Sequence, residues 1–283
     1  MSYDQIKVID GTTCQYGEHN DRVYLMKVNK KRPSDSLKIV SEIADEINAG
    51  KIFVKVPKET LNTFDKAGFN IEAKVPNLYE GESDGYFLSK YLDEKRESIN
   101  SEEVMDVISI AQEKETLKTL PTLSDFELRE LHKSDTKKMV GIYKEVFQTY
   151  PFPIHEEEFI KSCMNDNVRF FGAFNEQEKL VAVSSSEMDR KQKNVEMTDF
   201  ATLPEYRGAG LASHLLDEME KTLIQEEDIK VAYTIARAKS YGMNITFSKS
   251  GYQYGGTLRN NTNISGAIES MNVWYKELSG QCV

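Results

Sequence analysis

The sequence lacks the features that mark several large classes of protein. Its three cysteines, Cys14, Cys163 and Cys282, form no CxxC pair, which fits a reducing compartment and neither a disulfide framework nor a zinc site. The four histidines show no HExxH or similar spacing, so no metal is expected. No apolar run approaches the ~18 residues of a membrane-spanning helix, and the N-terminus lacks the profile of a signal peptide. These absences predict a cytoplasmic protein that contacts no membrane.

An excess of basic residues is also missing. The 283 residues carry 36 Lys and Arg against 46 Asp and Glu, a formal net charge of −10. A nucleic-acid binder needs a clustered basic surface to neutralise phosphates, so this class is not expected. The acidic balance favours a cationic partner, although an acidic surface often serves only solubility.

The chain is expected to divide into two parts. Residues 93–118 are highly charged and contain neither glycine nor proline, which is typical of a solvated helix or a linker. We therefore expect a smaller N-terminal α/β domain, residues 1–118, that includes this segment. The second domain, residues 119–283, shows the pattern β-α-α-β-β-β-α-β-α-β-β. The expected class is α/β (α+β) with a mixed central sheet.

The N-terminal part has a related pattern. Its segments IKVIDGTT and DRVYLMKV are expected to pair as a hairpin, and a helix is expected to stop at Gly50. The segments FDKAGF (64–69) and FSKSGY (247–252) share a phenylalanine, a lysine, a glycine and an aromatic residue at the same spacing. They indicate either a partial internal repeat or a generic join between a helix and a strand.

Residues 203–216, LPEYRGAGLASHLL, place small residues at the start of an amphipathic helix. A helix N-terminus has unpaired N–H groups and a partial positive charge, so a phosphate is the expected ligand. No lysine follows Gly210, which excludes a P-loop. A dinucleotide-binding turn is also excluded, because Ser213 stands where its third glycine would be.

The run Arg207-x-x-Gly210-x-Ala212 resembles the [QR]-x-x-G-x-[GA] signature of the GNAT (Gcn5-related) N-acetyltransferases. The resemblance covers about residues 122–283 and includes the strand order. It implies a GNAT fold that uses acetyl-CoA without a metal. It also implies that backbone groups hold the pyrophosphate and the pantetheine arm. The residues at these positions are Phe200, Ala201, Thr202, Arg207, Gly208, Ala209, Gly210, Leu211, Ala212 and Ser213.

Longer segments are similar to one branch of this superfamily. EMTDFATLPEYRGAGLASHLL, SYGMNITF, GYQYGGTLRNNTNISG and MNVWYK, with HNDRVYLMKV and FVKVP upstream, resemble the beta-lysine acetyltransferase family. That family acetylates the terminal amine of beta-lysine, and the product is a compatible solute in some organisms. The resemblance implies a small cationic amino acid as the substrate. Lysine or a polyamine, and a CoA-binding sensor with little catalysis, remain alternatives, and a homodimer stays open.

The chemistry requires a base, because a lysine-type amine has a pKa of about 10.4 and attacks only when neutral. Strand alternation puts Glu196, Thr198, Phe200 and Thr202 on one face. By the GNAT resemblance, Glu196 is the expected base, directly or through water. An exposed strand carboxylate is the alternative.

The acid and the substrate contacts follow less directly. Phe247 stands where many GNAT enzymes have a tyrosine acid, so Tyr241 is the selected substitute, with Tyr206 as an alternative. The thiolate can also leave without an acid. Expected substrate-binding residues are Asp199, Asn260 and Asn263.

Overall fold

Thirteen strands form one continuous mixed sheet in the computed structural model, which describes residues 3–278. Cys282 lies outside the described residues. The elements of the N-terminal half are β1 Gln5–Ile9, β2 Thr12–Gly17, β3 Arg22–Lys27, α1 Pro33–Ile47, β4 Lys51–Pro57, α2 Leu61–Asp65, β5 Asn70–Tyr79, β6 Ser83–Tyr91 and α3 Ser101–Gln112. None of the helices within residues 3–278 is long and apolar enough to cross a membrane.

The C-terminal half follows the predicted order of elements. They are β7 Phe126–Glu130, α4 Thr136–Val146, α5 Glu157–Asn165, β8 Val168–Asn175, β9 Leu180–Asp189, β10 Asn194–Thr202, α6 Leu211–Glu226, β11 Val231–Arg237, α7 Tyr241–Lys249, β12 Gln253–Ile264 and β13 Ala267–Glu277. Leu211, Leu215, Met219 and Leu223 of α6 are all buried. Their spacing of four residues gives the helix one apolar face, which packs against the sheet. The predicted α/β class with a mixed sheet is confirmed.

The two halves share the sheet through strands β5 and β12. The strand order is β1-β2-β3-β4-β6-β5-β12-β13-β11-β10-β9-β8-β7. At the join, Gly256 is paired with Ala73 and has a φ of 141°. A Cβ on Gly256 would lie 2.2 Å from the carbonyl oxygen of Glu72. The close approach of the two strands therefore requires glycine at this position.

The apolar core also crosses the join. One continuous cluster of buried side chains contains Tyr24, Phe53 and Phe87 of the N-terminal half together with the core of the C-terminal half. The rings of Phe87 and Tyr233 are 6.0 Å apart. A second, smaller cluster lies wholly in the N-terminal half, around Val40 of α1.

The two halves repeat one order of elements. The series β1-β2-β3-α1-β4-α2-β5-β6 matches β8-β9-β10-α6-β11-α7-β12-β13. The pairing agrees as well, because β3–β4 and β10–β11 are parallel while the other pairs within each half are antiparallel. The segments 64–69 and 247–252 occupy equivalent places between helix and strand. The N-terminal half is thus a partial repeat without counterparts of β7, α4 and α5.

Three local expectations were wrong. The segment IKVIDGTT forms two strands, because Asp10 and Gly11, with φ of 47° and 79°, make a two-residue turn between β1 and β2. Helix α1 ends before Gly50, since Asn48 adopts the left-handed conformation that stops it. The charged segment around α3 is not simply solvated, because Val104 and Ile108 pack against Ala238.

Candidate active site

A cavity of about 910 Å³ lies where β10 and β11 separate. The two parallel strands pair only from Asn194 to Glu196 on β10 and diverge beyond that point. The backbone of residues 197–202 is therefore not paired with β11. The wall of the cavity includes Arg22, Tyr24, Phe53, Lys55, Tyr143, Tyr150, Glu187, Glu196, Thr198, Asp199, Phe200, Thr202, Arg207, Gly208, Gly210, Ala212, Phe247 and Asn261.

The loop before α6 forms one part of this wall. Gly208 and Gly210 have φ of 87° and 78°, in the left-handed region that favours glycine. A Cβ on Gly208 would meet no atom within 4 Å, and one on Gly210 would meet only His214, at 3.8 Å. Open space thus lies in front of the loop, where the first turn of a 16-residue helix presents its unpaired N–H groups. The arrangement fits a phosphate group.

The predicted loop and strand residues are largely brought together on the wall. Phe200, Thr202, Arg207, Gly208, Gly210, Leu211, Ala212 and Ser213 all line the cavity. Ala201 is buried in the core and Ala209 is exposed, so neither side chain contributes to the wall.

A β-bulge interrupts β10 beside this loop. The register between β9 and β10 shifts between Thr198 and Ala201, and Asp199 has a φ of 56°. The shift breaks the expected alternation, so Thr198, Asp199 and Phe200 all line the cavity. Backbone groups in the bulge are released from the ladder with β9 and can face a ligand.

Glu196 lies at the point where the strands separate. In the sheet register it is opposite Glu187 of β9 and beside Tyr233 of β11. Burial, and secondarily the charge of Glu187, raise the pKa of Glu196 from 4.5 to about 7, while Lys55 and Tyr233 oppose this shift. The carboxylate is therefore poised to exchange a proton near neutral pH.

The N-terminal half supplies a cation to this cluster. Lys55 of β4 donates a hydrogen bond from Nζ to the hydroxyl of Tyr233 at 2.9 Å. Burial raises the pKa of Glu187, as it does that of Glu196, and the charge of Lys55 opposes the rise in both. The carboxylates on β9 and β10 are thus balanced by a residue from the other half of the chain.

Asp199 is the third carboxylate of the site. It accepts hydrogen bonds from the hydroxyls of Tyr150 and of Ser185, the latter at 2.5 Å. Burial raises the pKa of Asp199, and these hydrogen bonds oppose the shift. The predicted substrate contact therefore lies in the cavity, held by two hydroxyl groups.

Comparison with known proteins identifies the family. The model of the Acetyltransferase (GNAT) family matches residues 128–242. A beta-lysine N(6)-acetyltransferase of Methanococcus maripaludis is 41% identical over 274 residues, which covers 96% of this chain and 98% of that protein. The chain belongs to the GNAT acetyltransferase family.

Two further relatives are similar to this chain over most of its length. The N-acetyltransferase YodP of Bacillus subtilis is 34% identical over 244 residues, covering 83% of this chain and 85% of its own. A beta-lysine N(6)-acetyltransferase of Methanosarcina mazei is 32% identical over 251 residues, covering 81% and 92%. This chain is accordingly an N-acetyltransferase, and the likeness includes its N-terminal half.

Three of the predicted site residues, Tyr241, Asn260 and Asn263, do not line the cavity. Tyr241 is 42% exposed and its hydroxyl donates to Asp106 on the surface, so it cannot protonate a leaving group there. Asn260 donates to the carbonyl oxygens of Arg96 and Ser98.

Asn263 donates to the carbonyl of His19 and accepts from Thr149. Both asparagines thus tie the β12–β13 hairpin to neighbouring segments. Phe247 is buried against Phe200, with ring centroids 5.6 Å apart, and offers no proton.

Sequence reasoning named no residue of β3 or β4 as part of the site. Arg22, Tyr24, Phe53 and Lys55 line the cavity although they precede Arg207 of the GNAT signature by 152 to 185 residues. One signal was present: Lys55 interrupts the apolar run of the strand KIFVKVP, and Arg22 begins the strand RVYLMK next to its apolar run. A charged residue within such a strand needs a compensating environment, which here is the shared cavity.

Proposed function

We propose that this acetyltransferase transfers the acetyl group of acetyl-CoA to N6 of beta-lysine. The observation that carries this proposal is the 41% identity to a beta-lysine N(6)-acetyltransferase over 96% of the chain. That coverage includes β3 and β4, whose side chains line the cavity together with the GNAT residues. The likeness thus extends to the part of the wall that faces the amine.

The loop before α6 supports the acetyl-CoA part of the proposal. The open space at Gly208 and Gly210 accommodates the pyrophosphate, which backbone N–H groups of residues 208–213 would hold. The backbone of residues 200–202 is unpaired on its β11 side and is available to the pantetheine arm. Acetyl-CoA supplies the thioester carbonyl that a neutral amine attacks.

Glu196 acts as the general base in this mechanism. Its pKa of about 7 leaves a large fraction ionised at neutral pH, so it can accept the proton that the attacking amine loses. Backbone N–H groups in the bulge at residues 199–200 stabilise the oxyanion that forms on the carbonyl oxygen. The C–S bond then breaks, and the thiolate leaves without an acid because a thiol pKa is about 8.5.

The protein transfers the group directly and not through an acetylated cysteine. Cys163 lines the cavity, but burial raises the pKa of its thiol to about 12, so it remains protonated. The amine therefore attacks the thioester itself in a ternary complex.

The charges of the cavity suit a small cationic amino acid. Glu187, Glu196 and Asp199 line it together and favour ammonium groups. Acetylation of N6 removes one positive charge from beta-lysine and leaves a neutral zwitterion. This product has the chemistry of a compatible solute, and we place the reaction in the cytoplasm. We further propose that residues 1–118 form the substrate-side domain and residues 119–283 the acetyl-transfer domain.

The test is a CoA-release assay with a panel of amines that contains beta-lysine, L-lysine, putrescine and spermidine. The expected result is the highest kcat/KM for beta-lysine, with the product acetylated at N6 as located by NMR. Gly210→Glu serves as the inactive control, because its glutamate side chain would occupy the pyrophosphate site. A higher kcat/KM for a polyamine would overturn the substrate, and no CoA release with any amine would favour a CoA-binding sensor.

A further inference from the structure

The Arg22 guanidinium lies on the cavity wall without an ion-pair partner among residues 3–278. The residue is 4% exposed. Its Nη1 donates to the carbonyl of Asn261 at 2.5 Å and to the hydroxyl of Thr262 at 3.2 Å, and its Nη2 donates to Gln15 at 3.3 Å. All three acceptors are neutral. Within the described chain its Nε is buried and donates to nothing.

A buried cation of this kind is costly unless an anion is supplied. Burial lowers the pKa of Arg22 to about 10, which still leaves it charged at neutral pH. Asp4 and Glu196 act on it through space, but neither comes within 4 Å of it as an ion pair. Lys55 differs, because the charges of Glu187 and Glu196 offset its own. Within the described residues, Arg22 is thus a buried cation on the cavity wall without an anionic partner. Arg207 also lines the cavity without an ion pair there, but it is exposed and lies in the loop before α6.

A matching acceptor lies next to Arg22. Asn261 is 1% exposed and lines the cavity, and its backbone carbonyl already binds the guanidinium. Its side-chain oxygen, Oδ1, is buried without a partner in the described residues. Unpaired buried donors and acceptors are uncommon in proteins, and a pair of them on one cavity wall indicates a ligand that satisfies both.

The guanidinium is also held in a fixed plane. It lies against the rings of Tyr24 and Phe53, at 5.3 and 5.7 Å from their centroids. Gln15, which accepts from Nη2, is itself fixed by donating to the carbonyl of Pro151 at 3.1 Å. A rigid, pre-oriented guanidinium is suited to a carboxylate, which it recognises by charge and by direction.

We propose that Arg22 binds the carboxylate of the amino-acid substrate through Nε and that Asn261 Oδ1 accepts a hydrogen bond from the adjacent ammonium group. This assignment rests on the proposed acetylation of beta-lysine, whose carboxylate and 3-amino group are close neighbours. The chain of the substrate then extends towards Glu196, where N6 reacts. Arg22 and Asn261 thereby select amino acids over polyamines, because a polyamine leaves the arginine unpaired.

The test removes the carboxylate from the substrate and the arginine from the protein in turn. 1,4-Diaminopentane is beta-lysine without its carboxylate, and Arg22→Gln removes the charge while keeping a hydrogen-bonding amide. For the wild type we expect kcat/KM to fall at least about 30-fold from beta-lysine to 1,4-diaminopentane, the lower range for losing one partner of a buried charge pair. Arg22→Gln should lose a similar factor with beta-lysine and little with 1,4-diaminopentane, so that the two losses do not add.

Two controls separate binding from folding. Arg32→Gln changes an arginine that is 60% exposed, and it should retain the wild-type preference. Acetyl-CoA affinity, measured by calorimetry, should be unchanged in Arg22→Gln, since the proposed pyrophosphate loop precedes α6 and does not include β3. If Arg22→Gln does not fold, Arg22→Lys keeps the charge but not the directed guanidinium, and its preference for beta-lysine over 1,4-diaminopentane should be smaller than that of the wild type. An unchanged preference in Arg22→Lys would contradict a directed contact from the guanidinium.

The outcomes distinguish this inference from the proposed function. Equal use of beta-lysine and 1,4-diaminopentane by the wild type would overturn the role of Arg22 while leaving beta-lysine acetylation intact. If beta-lysine is not a substrate, the Arg22 assignment is tested with the amine of the panel that has the highest kcat/KM. An amino acid that depends on Arg22 supports the carboxylate site, and a polyamine that does not depend on it refutes the site.

Discussion

Replacing Glu196 by glutamine tests the base directly. General-base catalysis contributes about 10²–10⁴-fold, and Glu196→Gln should lose kcat and kcat/KM within that range at neutral pH. Acetyl-CoA affinity should stay nearly unchanged, because the glycine loop is not altered. Glu145→Gln, which changes an exposed glutamate on α4, is the matched control and should be fully active.

The pH dependence follows from the pKa of about 7. A carboxylate with this pKa is about half ionised at pH 7 and about 1% ionised at pH 5, so wild-type kcat/KM should fall steeply below neutrality. The variant should recover towards pH 10, since the amine then loses its proton without help. The assay is a pH–rate profile of both proteins with saturating acetyl-CoA. A variant within about threefold of the wild type at neutral pH would refute the assignment and direct attention to Asp199.

The same shift makes a prediction about stability. A carboxyl group whose pKa is raised by folding binds more protons in the folded state, so its contribution to stability is lost as the pH rises from 4.5 to about 7. The full shift corresponds to at most about 3 kcal/mol, and less is expected because the group also faces the cavity. Glu196→Gln should therefore raise the free energy of unfolding at pH 8 and leave it nearly unchanged at pH 4, as measured by urea denaturation. A variant less stable than the wild type at pH 8 would contradict this.

Substitutions at three further sites, Gly210, Gly256 and Tyr241, test other parts of the structure. Gly210→Glu should abolish acetyl-CoA binding, as measured by calorimetry. Asparagine tolerates a positive φ, so Gly210→Asn should fold and bind acetyl-CoA more weakly than the wild type. Normal acetyl-CoA affinity of Gly210→Glu would disprove the placement of the loop. Gly256→Ala should destabilise the protein by about 2–4 kcal/mol, because its Cβ would meet the Glu72 carbonyl at 2.2 Å. Gly68 has a φ of 80° and a Cβ there would meet no atom within 4 Å, so Gly68→Ala reports backbone strain alone. Equal denaturation midpoints for Gly256→Ala and Gly68→Ala would exclude a close approach of the β5 and β12 backbones. Tyr241→Phe should keep kcat within about twofold, since its hydroxyl binds Asp106 at the surface, and a larger loss would return Tyr241 to the mechanism.

The C-terminal half was predictable because its signals are local. The apolar spacing of α6, the glycines before it and the alternating strands each specify structure within about fifteen residues. The bulge at Asp199 was not predictable, because a positive φ at an aspartate depends on the hydroxyls of Ser185 and Tyr150 that hold its side chain.

The individual residues that β3 and β4 contribute to the cavity could not be predicted for a related reason. Arg22 reaches Asn261 and Lys55 reaches Tyr233 across the join between the halves, over separations of 239 and 178 residues. No local pattern encodes such contacts. The two asparagines selected from the segment NNTN, Asn260 and Asn263, bind neighbouring segments, and it is Asn261 between them that lines the cavity.

The pairing of β5 with β12 joins two similar folding units inside one polypeptide. Two separate chains would associate to an extent that depends on their concentration, whereas tethered units meet at a fixed effective concentration. The enzyme therefore keeps its β3 and β4 wall at any dilution. The units are also free to diverge, since a substitution in one is not copied into the other. The loop before α1 reads Val28-Asn-Lys-Lys-Arg32, without the glycines that precede α6, so the two units have diverged at the position where we propose that acetyl-CoA binds.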